Sequence, residues 1–137
     1  MITEKELLQM STDEYMNQEQ LNFFKEKLLS EEFENSKKMQ FLIDQHKENI
    51  LNNKSADAID QQVIESDSRL AAAETSRVAL KNKKIKIALE KIKAGEYGFC
   101  ENTGDEIGIR RLLFDPTISL SVSAQEELEI RSKQYAN

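Results

Sequence analysis

Every seventh residue from Ile64 to Ile92 is apolar: Ile64, Ala71, Val78, Ile85 and Ile92. A second series runs four residues behind, through Ser68, Thr75, Asn82 and Leu89. This alternating spacing keeps both rows on one side of an α-helix, so the pattern predicts a long helix with a seam for one neighbour. One row is small or polar for most of its length. Such a seam suits close packing inside a single chain and is weak as a free-standing dimer zipper, so a monomer is expected.

Upstream, Asn17 is placed to cap a helix, with Gln20 three residues on in capping-box spacing. Leu21, Phe24 and Leu28 begin its apolar stripe. The pattern blurs over residues 30–38, which reads as a coiled-coil stutter. It resumes at Met39, Ile43, His46 and Ile50, where His46 is expected to pack at the seam. "NNKSADAID" then interrupts it with turn and cap formers, predicting a tight reversal near 52–57. Residues 17–94 thus read as an antiparallel coiled-coil hairpin with its tip near 52–60. Two helices of about 35 residues, at about 1.5 Å per residue, make an arm roughly 50 Å long.

The flanks differ. Residues 1–16 read as an N-terminal helical segment, "MITEKELLQM" followed by Ser11-x-x-Glu14 in capping-box spacing. Gly95 suits the residue just past a helix end. In residues 95–137, Ile107–Ile109 and Ile118–Val122 are short β-prone pieces split by a turn at Asp115-Pro116. "SAQEELEIRSKQY" reads as a last helix, capped by Ser123 with Glu126. The expected fold is mainly α: a long hairpin, a small ribbon-like α/β unit and a C-terminal helix.

Composition narrows the function. A net charge of −6 argues against a duplex DNA binder, which normally carries a basic face. No apolar run is long enough to span a membrane. The N-terminus lacks a basic-then-apolar signal pattern, so the cytoplasm is expected. A single proline and four glycines accord with long uninterrupted helices.

Three groups of residues carry candidate chemistry. "GEYGFCENTGDEIGIRRL" holds the only cysteine, Cys100, in a context written like half of a zinc ribbon. The matching ligand positions are Thr103, Ser121 and Ala124. One thiolate cannot replace four soft ligands, so no metal is expected. No histidine lies near Cys100 in sequence to act as a base, and an enzyme reading finds no support. Asp57 and Asp60 share a helical face at the predicted tip, either as ordinary caps or as an acidic probe. Arg77, Lys81 and Lys84 share a basic face on the second long helix. Arg110 and Arg111 add charge from the terminal unit, and the whole set reads as a solvated surface or as a contact for an anion or acidic partner.

The layout resembles the DksA/TraR family of transcription regulators. "YMN" before a helix, "DAID" at the tip, the quoted finger stretch, "DPT" and "EIRSKQ" follow that family in order. The resemblance implies a factor that binds bacterial RNA polymerase and inserts its hairpin into the secondary channel. There it would modulate promoter open complexes in a stringent-response manner. Asp57 and Asp60 match the family's tip aspartates, while Gln62 stands where the family has alanine. Cys100, Thr103, Ser121 and Ala124 match its four zinc cysteines. The family uses guanosine tetraphosphate, and Lys84 and Arg77 match basic residues that hold it. Asp115 and Gln125 stand where the family has an arginine and a lysine, so weak nucleotide binding is expected. The alternatives are an interaction protein without regulatory action, or a channel-binding factor of the Gre type.

Overall fold

The computed structural model describes residues 1–52 and 58–135. Along the chain come α1 (Glu4–Gln9), a 3-10 turn (Thr12–Glu14), α2 (Gln18–Asn52), α3 (Ala58–Ala94), α4 (Ile109–Phe114) and α5 (Val122–Tyr135). The predicted reversal at 52–57 falls largely outside the described residues, as does Asp57.

The long helices start and stop where local chemistry requires. Asn17 caps α2: its Oδ1 accepts from the Gln20 N–H at 2.9 Å. Gln20 reaches back one residue further than a standard capping box, its Oε1 accepting from the Met16 N–H at 2.7 Å. α3 closes in a Schellman motif. The Glu96 N–H reaches the Lys91 carbonyl and the Gly95 N–H reaches that of Ile92, with Gly95 at φ +77°.

Both heptad rows of α3 point inward. Ile64, Ala71, Val78, Ile85 and Ile92 are all buried or half-buried, as are Ser68, Thr75, Asn82 and Leu89. α2 runs unbroken through the segment where a stutter was expected. A stutter leaves a helix unbroken: the sheltered Glu31, Asn35 and Met39 follow at two successive steps of four, and the first two are polar where apolar residues would have made the seam visible.

The chain divides into two compact units. One comprises Ser30–Ile85, the part of the hairpin that includes its predicted tip. Here Ser36 accepts from the Asn82 amide at 3.3 Å, and Lys38 pairs with Glu74 at 3.0 Å, which fixes the antiparallel register. The Lys38 ammonium, by hydrogen bond and charge, holds the Glu74 carboxyl below its ordinary range. The Asn82 carbonyl oxygen is buried without a hydrogen-bond partner.

The other unit joins Met1–Leu29 to the chain from Lys86 onward. Its core gathers Leu7, Phe24, Leu28, Tyr97, Leu112 and Ala124. α1 packs on α4, and Phe24 meets the Tyr97 ring at 5.6 Å.

The β-prone pieces do not form strands. Among the described residues the only β pairing is a single bridge between Phe99 and Glu106. Gly108 at φ +103° ends any extension after Ile107, and Ile109 opens α4. After the turn at Asp115, residues 118–121 have no partner strand and lead directly into α5 at Val122. The cap of α5 also moves: Ser121, rather than Ser123, accepts from the Ala124 N–H, at 3.3 Å.

Candidate functional site

The finger stretch folds as a knuckle. The Gly104 N–H returns to the Cys100 carbonyl at 2.9 Å, and the Cys100 N–H reaches the Asp105 carbonyl at 2.8 Å. The Glu101 N–H reaches the Ser119 carbonyl at 2.9 Å, tying the knuckle to the segment before α5. The Lys91 ammonium pairs with the Glu101 carboxylate.

This arrangement brings the four ligand-like positions together. Cys100, Ser121 and Ala124 are buried, and Thr103 lies at the rim. Burial opposes ionisation of the Cys100 thiol, but hydrogen bonds from Thr103 and Ser121, side chain and backbone, outweigh it. They hold the thiol down to about 6. The set offers one sulfur, two hydroxyls and a methyl, which does not fit a tetrahedral zinc. Among the described residues, no three histidines, cysteines or carboxylates gather as a metal-binding group.

The basic candidates fall into two groups on different units. Arg77, Lys81 and Lys84 are exposed along α3 within the Ser30–Ile85 unit. Arg110 is exposed on α4, in the unit with the finger. Arg111 is half-buried, and its Nε donates to the Leu120 carbonyl at 3.2 Å, so it anchors the segment before α5. Asp115 organises the turn after α4: its Oδ1 accepts from the Thr117 N–H at 3.0 Å and the Thr117 hydroxyl at 2.6 Å. Gln125 donates to Glu129. Asp60 is exposed in the first turn of α3, and Gln62 beyond it is exposed too.

Tyr15 was not singled out by the sequence. Its hydroxyl donates to the Gly98 carbonyl and accepts from the Gly108 N–H at 3.0 Å. The signal was present in "YMN", but nothing in the spacing shows that an aromatic next to a helix cap reaches a loop more than eighty residues away.

Comparison with known proteins accords with this arrangement. Residues 95–129 match the family model described as the prokaryotic dksA/traR C4-type zinc finger. The chain is 35% identical over 135 residues to the RNA polymerase-binding transcription factor DksA of Caulobacter vibrioides (strain NA1000 / CB15N), covering 98% of this chain and 94% of that one. It is 32% identical over 124 residues to the Salmonella typhimurium protein of the same name, covering 90% and 81%. The structure of transcription factor DksA2 from Pseudomonas aeruginosa superposes with a TM-score of 0.85 at 30% identity, over 96% of this chain and 99% of that one. A helical hairpin and a finger of this kind in one chain define a class of transcription factors rather than of enzymes. Within that class, the chain belongs to the DksA family. No helix among the described residues is long and apolar enough to cross a membrane.

Proposed function

We propose that this chain is a cytoplasmic, monomeric transcription regulator that binds bacterial RNA polymerase and acts through the acidic end of its hairpin. The observation that carries this reading is the end-to-end likeness to a DksA structure, which covers finger and hairpin alike. In this reading the hairpin enters the secondary channel. Asp57 and Asp60 then act by charge near the catalytic centre and lower the lifetime of promoter open complexes. The exposed row Arg77, Lys81 and Lys84 supplies one positive field, and Arg110 a separate one on the other unit, for an acidic polymerase surface or for guanosine tetraphosphate. The nucleotide binds weakly. Asp115 brings a negative charge and is already engaged by Thr117, and Gln125 is uncharged. No metal cofactor takes part.

The test is transcription in vitro from a ribosomal promoter, with the matching polymerase, with and without the nucleotide. Shortened open-complex lifetime that changes little with nucleotide supports the reading. Unaltered open complexes at saturating protein overturn it.

A further inference from the structure

We propose that the finger of this chain is closed by two hydrogen-bonded clasps in place of a metal, and that Tyr15, from outside the finger, fastens it. A metal in a four-cysteine finger cross-links two loops that local structure alone would not hold. Here the cross-links are visible, and neither needs four sulfurs.

The first clasp is at Tyr15. Its one hydroxyl bridges Gly98 and Gly108, the residues that bracket the loop around Cys100. The Gly98 carbonyl also accepts from the Ile107 N–H at 2.8 Å, so both sides of the loop converge on one oxygen and one hydroxyl. The Tyr15 ring stands edge-on to Phe99 at 5.6 Å. Gly98 completes the fit: a Cβ there would lie 2.8 Å from Met16 Cγ and 3.0 Å from the Tyr15 hydroxyl. A hydroxyl that both donates and accepts must be neutral. Burial raises the Tyr15 pKa and keeps it so.

The second clasp surrounds Cys100. The hydroxyls and backbone N–H groups of Thr103 and Ser121 converge on the sulfur. The same two hydroxyls accept from the backbone, Thr103 from the Asp105 N–H at 3.3 Å and Ser121 from the Ala124 N–H at 3.3 Å. Each therefore links the sulfur to a backbone turn. Where zinc would join four side chains through one ion, these hydroxyls join one sulfur to two turns through protons.

The Tyr15 clasp stands on geometry alone, and neither clasp involves polymerase, so their test is independent of it. Amide hydrogen exchange is followed by NMR on the intact chain, on Tyr15→Phe and on Thr103→Ala, the last at an exposed position. Tyr15→Phe removes the acceptor of the Gly108 N–H, and exchange there should quicken about tenfold or more. Amides in the middle of the hairpin should be unaffected. Thr103→Ala should quicken the Asp105 amide and leave Gly108 as it was. A zinc chelator should leave the unaltered chain's finger amides protected, and mass spectrometry of the native protein should find no zinc. Stoichiometric zinc, or loss of protection on chelation, overturns the proposal. So does exchange at Gly108 that ignores Tyr15→Phe. If Tyr15→Phe does not fold, the Asp105 response in Thr103→Ala and the chelation result decide it.

Discussion

The Tyr97 hydroxyl donates to the Pro116 carbonyl across 2.8 Å, and both residues are buried. This bond ties the start of the finger to the turn after α4. Tyr97→Phe keeps the ring against Phe24 but strands the carbonyl. It should cost about 1–2 kcal/mol, read as a lower urea midpoint with an unchanged slope.

Two glycines in similar backbone conformations should respond differently to alanine. Gly95 has φ +77° and open space around it, so Gly95→Ala should cost about 1 kcal/mol from conformation alone. Gly98 has φ +92° and Met16 in the way. Gly98→Ala should cost about 2–4 kcal/mol, the strain being joined by overpacking. Thermal unfolding of the pair measures the difference, and equal losses would show that Met16 yields freely.

At the proposed tip residues, Asp57→Asn and Asp60→Asn remove charge. If the tip acts by electrostatics, each should abolish most of the effect on open complexes while polymerase affinity changes less than about threefold, under about 0.7 kcal/mol. Affinity falling in step with activity would make the tip an anchor.

Asp115→Arg carries two opposed consequences. Losing the bonds to Thr117 should cost about 1–2 kcal/mol of stability. The reversal of charge should raise the response to guanosine tetraphosphate in transcription assays with polymerase lacking its other nucleotide site. A destabilised variant with no gain in nucleotide response would refute the mapping of Asp115 onto the nucleotide contact.

The thiol of Cys100 ties stability to pH. Its folded pKa, about 6, lies below its ordinary 9.0, so between these values the unfolded chain holds more protons. Stability from this group is therefore full above about pH 9 and is lost as pH falls through about 6. Urea midpoints for the native chain should rise across that window more steeply than for Cys100→Ser. Parallel profiles would show that the hydrogen bonds around the sulfur do not favour the thiolate.

The hairpin was legible because its signal is periodic. The row from Ile64 to Ile92 never misses, and both rows are sheltered as that spacing requires. Where the interior of α2 turns polar, at Glu31 and Asn35, the periodicity vanished from the sequence while the helix continued. The terminal unit was harder to read. β-branched residues at 107–109 and 118–122 have strand propensity, but a strand needs a partner, and a glycine at positive φ and a side-chain-capped turn decide against one. The gathering of Cys100, Thr103 and Ser121 was foreseen only by resemblance. The reach of Tyr15 was not foreseen at all, since a contact between distant segments leaves no local trace.

That reach also bears on how the chain is made. Tyr15 meets Gly98 and Gly108 across separations of 83 and 93 residues. During synthesis from the N-terminus, α1 and the start of α2 emerge long before their partners exist, and Leu7 and Phe24 must wait uncovered. Contacts between such distant segments form slowly, whereas helix turns and their antiparallel pairing need only nearby chain. The arm can therefore assemble on the ribosome, while the finger unit closes only once the C-terminal third has been translated.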